Sequence, residues 1–243
     1  MLTTPLDIFL TPHAGMVYTE IMARYPRLVV PGLPHHVTQR GNRRQRVFRS
    51  QYDLSKYCSI ADRCLYEAGV RVLAFCLMPN HVHFILVPPE SDSLSKAVQR
   101  MHTSFSLYSN LAWQNCGHLW QGRFYSCALD ATHLYNAIRY VEMNPVRAGL
   151  VQKPSLYRWS SARAHVFGHS SPIELDTGSL VAALIDDWDA YLNEASGDDF
   201  SMLRDRTKTG RPCCTLDMCH RIEEETGRTV LTKSCRFTFP ENQ

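Results

Sequence analysis

Met78-Pro79-Asn80-His81-Val82-His83-Phe84-Ile85-Leu86-Val87 is the stretch on which the fold turns. An apolar run, Val70 to Leu77, precedes it. The Pro-Asn pair breaks that run, and a second β-rich run follows with two histidines at spacing two. Alternate side chains of a strand share a face, so His81 and His83 point the same way and Val82 points to the other side. Strand rise puts the two imidazoles roughly 7 Å apart, within reach of one metal ion if the rings tilt. A bare His-x-His is more often a pair of half-buried core histidines. The residues that reverse that reading lie far away, at Tyr140 and Asn144.

Working outward, the 243 residues suffice for one sizeable domain with appendages. With 44% hydrophobic residues the chain can bury a core. No run of 18 apolar residues occurs, which predicts no transmembrane helix and no membrane partner. The N-terminus lacks a basic region, apolar core and cleavage site in series, so no signal peptide is expected. Nine cysteines, an odd count without a Cys-x-x-Cys pair, read as reduced thiols of a cytoplasmic protein. The net charge of +3 says little alone. Its distribution says more: between Ile21 and Tyr52 lie Arg24, Arg27, Arg40, Arg43, Arg44, Arg46 and Arg49, and no acid.

Residues 1–21 show no periodicity and are expected to be poorly ordered. Prolines keep the chain irregular to His35, after which His36-Val37-Thr38-Gln39-Arg40 alternates as a strand and stops at Gly41. Arg40, Arg43, Arg44 and Arg46 then make a basic loop, which without acids reads as a phosphate-contacting patch rather than a merely solvated face. Ser50 caps a helix to Ala68, two strands flank Pro79-Asn80, and a further helix begins at Ser93. Leu119 to Leu129 reads as a strand or arm. In it Trp120, Arg123 and Tyr125 either stack bases of single-stranded DNA or pack the sheet edge. A helix from Ala131 to Met143 carries Tyr140, and Asn144-Pro145 ends or kinks it.

The order predicts an α+β fold: a ferredoxin-like split β-α-β-β-α-β antiparallel sheet, an added tyrosine-bearing helix and C-terminal helices packed outside. The expected organisation is a catalytic domain over 22–168 and a helical extension over 169–243. That extension contains a patterned stretch near Leu180 to Leu192, a polar linker at 196–212 and a short helix from Thr215 to Thr226. Cys214, Cys219, His220 and Cys235 fit no standard zinc spacing.

Tyr140 and Asn144, four apart on a helix, share a face, and Glu142 points elsewhere. Laid over the histidine face, that helix would gather two imidazoles, an amide oxygen and a phenol. The first three would hold a divalent ion with open positions for a phosphodiester oxygen, and the phenol would attack phosphorus. Tyr135, nine before Asn144, falls on the opposite side of the helix.

His81-Val82-His83 after Met-Pro-Asn is the HUH motif, and Tyr140-Val-Glu-Met-Asn144-Pro-Val-Arg-Ala-Gly resembles the tyrosine helix of single-tyrosine HUH transposases. The similarity is greatest to the REP-associated tyrosine transposases. Arg40-Gly41-Asn42-Arg43 and Leu119-Trp120-Gln121-Gly122-Arg123-Phe124 also resemble that branch. The resemblance runs from about Met22 to Val151. It implies Mg2+ or Mn2+ held by His81, His83 and Asn144, and single-stranded or hairpin DNA as partner. It also implies cleavage and rejoining through a 5′-phosphotyrosine at Tyr140. The family includes homodimers and monomers, and either fits this chain. The short insertion-sequence enzymes often carry Gln where this chain has Asn144, which is one methylene shorter and requires the helix to lie closer to the sheet. Two other readings compete: a regulator that binds hairpin DNA without cleaving it, and a metal hydrolase in which water replaces Tyr140.

Overall fold

A computed structural model describes residues 27–176, 185–194 and 200–231. The expectations for residues 1–21, for 180–184, for 196–199 and for Cys235 fall outside them. Four strands form one sheet: β1 (His35–Arg40), β2 (Arg71–Met78), β3 (His81–Val87) and β4 (Tyr125–Ala128). Their order is β2-β3-β1-β4, and every pairing is antiparallel. α1 (Gln51–Glu67) links β1 to β2, and α2 (Ser93–Ala112) links β3 to β4. This is the split β-α-β-β-α-β unit that the sequence predicts.

Local chemistry fixes these elements. Ser50 Oγ accepts from the Asp53 amide at 3.1 Å, and Asp53 Oδ2 accepts from the Ser50 amide at 2.9 Å. This reciprocal capping box satisfies two donors at the start of α1. Met78 pairs with His81, so Pro79-Asn80 is the whole turn of the β2–β3 hairpin. Alternation then sorts the side chains. Val37, Phe75, Leu77, Val82, Phe84 and Leu86 pack one face against α1 and α2. Ala74, Cys76, Met78, Ile85 and Cys127 line the other. His81 and His83 are in phase with Ile85 on that second face.

α3 (Ala131–Glu142) crosses the second face and buries Leu134, Ala137, Ile138 and Val141. Asp130 caps it, accepting from the His133 amide at 2.9 Å. The break expected at Asn144-Pro145 is confined to Met143. A short α4 (Asn144–Arg147) follows, with Pro145 in its first turn, where a missing N–H costs little.

Past residue 168 the structure departs from the expected boundary. α5 (Ala162–Phe167) ends just before that point, and α6 (Trp188–Asn193), α7 (Ser201–Thr209) and α8 (Leu216–Thr226) follow it in order. Trp188, Leu192, Leu203 and Cys213 join the same apolar cluster as Ile85 and Val141, and Ile173 joins the core on the opposite face. The described residues of the extension therefore help to cover the sheet's second face and share their apolar clusters with the preceding domain. The linker expected at 196–212 is corrected in particular: residues 201–209 are α7, packed on β4 and β1. Only Leu203 and Thr207 of α7 are buried. A polar helix with a two-residue inward face shows too little periodicity to be seen in sequence. Cys214 and Cys219 lie with Sγ atoms 3.0 Å apart.

Gly41 joins β1 to the basic loop at an ordinary φ of −59°, so space, not backbone freedom, demands glycine. A Cβ there would lie 2.5 Å from the Gln45 carbonyl oxygen and 2.7 Å from Val47 Cγ2. Gly41→Ala is expected to cost about 1–3 kcal/mol by overpacking, or about 2–4 °C in Tm per kcal/mol for a chain of this size. A thermal melt matching that of the parent protein would contradict this.

Candidate active site

β3 presents His81 and His83 side by side, ring centroids 4.9 Å apart and nearly perpendicular. Across the β1–β3 ladder Thr38 faces His83 and Arg40 faces His81. His36, two residues before Thr38, therefore reaches His83 on the diagonal. The His36 and His83 rings are within 8° of parallel with centroids 5.1 Å apart. Their facing nitrogens, His36 Nε2 and His83 Nδ1, are only 2.9 Å apart. The rings thus meet edge to edge through a hydrogen bond. α3 lays Tyr140 perpendicular to both, 5.5 Å from the His83 centroid and 5.7 Å from that of His36.

Glu142, fully buried two residues beyond Tyr140, sets the rotation of α3. Its Oε1 accepts from Ser161 Oγ and, at 2.7 Å, from His165 Nδ1. On the opposite side of the helix, Asn144 Nδ2 donates to the Tyr140 carbonyl at 3.0 Å and Arg147 Nη2 to the same oxygen at 2.6 Å. The Arg147 guanidinium carbon lies 4.5 Å from the Tyr140 ring centroid. Phe200, just before α7, closes over the phenol with centroids 5.1 Å apart. His36, Arg147 and Phe200 escaped the sequence reading. Arg147 had a signal in it, since positions i, i+4 and i+7 share a helix face.

Burial holds both β3 imidazoles neutral. It pushes His81 down to about 4, helped by Arg40. It pushes His83 well below its usual value, helped by His81, His36, Arg147 and Arg40. Neutral imidazole is the form that binds a metal. The protons are also placed for it. His81 Nδ1 meets Asn80 Oδ1 at 2.6 Å, an acceptor, so the proton sits on Nδ1 and Nε2 keeps its lone pair. Asn144 commits its amide nitrogen to the Tyr140 carbonyl, which leaves Oδ1 free to coordinate. Two imidazole nitrogens and an amide oxygen, each with its donor engaged elsewhere, fit a weakly held divalent ion. Among the described residues no three His, Cys, Asp or Glu side chains converge as a metal site.

A family model described as transposase IS200 like matches residues 29–144. Over residues 29–144 the chain is therefore similar to the IS200-like transposases. Among solved structures, a REP-associated tyrosine transposase bound to a REP hairpin shares 22% identity at a TM-score of 0.50, over 65% of this chain and 98% of that one. A Deinococcus radiodurans R1 protein described as a transposase shares 20% identity at a TM-score of 0.32, over 49% of this chain and 95% of that one. The first likeness supports the fold. No curated protein matches the chain.

The IS200-like segment contains His36, His81, His83, Tyr140 and Asn144. Arg147, Phe200 and α7 lie beyond it. It also contains the basic loop, which the site's own turn holds in place. The Gly41 amide donates to the Asn80 carbonyl and the Val47 amide to the Pro79 carbonyl, both at 2.8 Å. Asn80 Nδ2 donates to the Arg44 carbonyl at 3.3 Å, so one asparagine orients His81 and tethers the loop. On the far side, the Asn42 amide donates to Leu119 O and the Gln121 amide to Arg40 O, again at 2.8 Å. Arg40, Arg43, Arg44 and Arg46 are all exposed, and Arg43 and Arg44 have φ of 51° and 61°.

The aromatic arm divides. Arg123 is exposed and Tyr125 is 42% exposed. Trp120 is not at the surface. It is 8% exposed, 4.4 Å from His102 between ring centroids, with Nε1 donating to His102 O at 3.3 Å. Its indole is core, so of the two alternatives the sequence leaves open for Trp120 the structure favours packing over base stacking. No helix among the described residues is long and apolar enough to cross a membrane.

Proposed function

We propose that the protein binds hairpin-flanked single-stranded DNA, cleaves it with Tyr140 as nucleophile and rejoins it. The single observation that carries this reading is the Tyr140 ring edge-on to His83, with Asn144 and Arg147 anchored one and two turns further on. His81, His83 and Asn144 would hold Mg2+ or Mn2+. When bound, the ion supplies charge withdrawal from the scissile phosphate and a fixed orientation for it.

The chain's own groups do the rest. Tyr140 Oη forms a bond to phosphorus as the P–O3′ bond breaks, giving a 5′-phosphotyrosine and a free 3′-hydroxyl. Arg147, with its guanidinium over the ring, stabilises the negative charge that develops on the phenol oxygen. The phosphodiester energy stays in the protein–DNA bond, so a 3′-hydroxyl of another strand can reverse the step. Arg40, Arg43, Arg44, Arg46 and Arg123 contact phosphates, and Tyr125 offers a base a flat ring.

A 3′-end-labelled hairpin oligonucleotide incubated with Mn2+ should carry its label onto the protein in a denaturing gel. The 5′-labelled fragment should be released with a 3′-hydroxyl. The burial of Tyr140, 9% exposed beneath Phe200, favours a second reading: a regulator that binds the hairpin without cutting it. Binding without label transfer would select that reading.

The arginine loop has its own expected result. Each lost phosphate contact on single strands flattens the slope of log K against log salt by about 0.7. Arg43→Ala combined with Arg44→Ala should therefore reduce it by about 1.4 and weaken all sequences alike. An unchanged slope would remove the loop from the interface.

A further inference from the structure

We infer that Thr207, in the C-terminal extension, is a positioning residue that acts through His36 to hold His83 in the tautomer able to bind metal. The inference rests on the reading of His83 as a ligand. Thr207 is buried, 3% exposed, on the inward side of α7. Its Oγ1 lies 2.7 Å from the Leu203 carbonyl one turn back. A carbonyl can only accept, so the hydroxyl proton points there.

Thr207 Oγ1 then has only lone pairs to offer its other neighbours, His36 Nδ1 at 2.7 Å and Cys127 Sγ at 3.2 Å. Both must donate to it. With its proton on Nδ1, neutral His36 presents Nε2 as an acceptor. The facing atom, His83 Nδ1 at 2.9 Å, must donate in turn. His83 Nε2 is left bare, the form a metal requires.

The opposite order is worse by one hydrogen bond. If Thr207 donated to His36 Nδ1, its bond to Leu203 would be lost. His36 Nε2 would then donate to His83 Nδ1, and the His83 proton would move to Nε2, where it blocks coordination. His81 receives the same service locally from Asn80 Oδ1. His83 receives it from a helix 124 residues away in sequence, which arrives with Phe200 already over Tyr140.

The test begins on the metal-free parent protein, labelled with 15N and read by long-range proton–nitrogen spectra of the histidine rings. His36 and His83 should both be protonated at Nδ1. In Thr207→Val, which keeps the side chain's shape and loses the hydroxyl, His83 should populate the Nε2-protonated form. Its Mn2+ affinity by electron spin resonance titration should fall about 10-fold. Thr207→Ser should restore both. His83 protonated at Nε2 in the parent, or unchanged in a folded Thr207→Val, would overturn the inference. If Thr207→Val fails to fold, the parent spectrum and Thr207→Ser decide alone. A tautomer change with Mn2+ affinity unaltered would uphold the relay and contradict His83 as a ligand.

Discussion

Tyr140→Phe is expected to abolish the proposed strand cleavage and the covalent protein–DNA species while leaving the fold and hairpin affinity in place. The substitution removes one oxygen and little volume. The ring keeps its edge-on packing against His36 and His83 and its contact with Phe200. Asn144 and Arg147 are unaffected on the helix side, because both donate to the backbone carbonyl of Tyr140 and not to its hydroxyl. Only the nucleophile is lost. Nicking should fall by at least about 10⁴-fold, the order seen when a covalent nucleophile is deleted. Cleavage at the parental rate would return the chemistry to a water nucleophile with Tyr140 as bystander.

His83→Ala is expected to remove activity by another route. His83 is 4% exposed, bonded to His36 and packed against Tyr140. The truncation would delete a proposed ligand and leave the His36–Thr207 pair facing a hole. Mn2+ binding should be lost, and with it several kcal/mol of charge stabilisation on the phosphate, or about 10³-fold in rate at 1.36 kcal/mol per decade. Hairpin affinity should stay near the parental value, since the arginine loop hangs on backbone bonds to Pro79, Asn80 and Leu119 rather than on His83. A chelator should reproduce the loss of activity without unfolding the chain, because the sheet and both its faces are built from apolar packing. Unfolding by chelator, or parental Mn2+ affinity in His83→Ala, would refute the ligand assignment.

The parts of this site that follow simple periods were readable in the sequence. His81 and His83 share a strand face by alternation, and Tyr140 and Asn144 share a helix face by spacing four. The Pro79-Asn80 turn and the Ser50 cap announce themselves by residue type. What could not be read depends on packing partners distant in the chain. His36 sits in an alternating strand, but only the β1–β3 register brings it to His83. Trp120 lies in a segment whose Trp, Arg and Tyr suit either a DNA surface or a core, and its contact with His102 on α2 decides for the core. Residues 201–209 look like linker because seven of the nine face outward, and β4 supplies the surface that makes them a helix. The second face of the sheet is likewise finished by chain that lies beyond the IS200-like segment.

Tyr140 is the residue proposed to carry the broken strand. That role is tested most directly by trapping the reaction of the full chain with single-stranded hairpin DNA and Mn2+, digesting the adduct and locating the nucleotide-bearing residue by mass spectrometry. One modified peptide is expected, with the phosphodiester on Tyr140 and the 5′ end of the downstream fragment attached. A nucleotide on Tyr125, Tyr135 or any other residue would contradict it, as would cleaved DNA with no adduct at all.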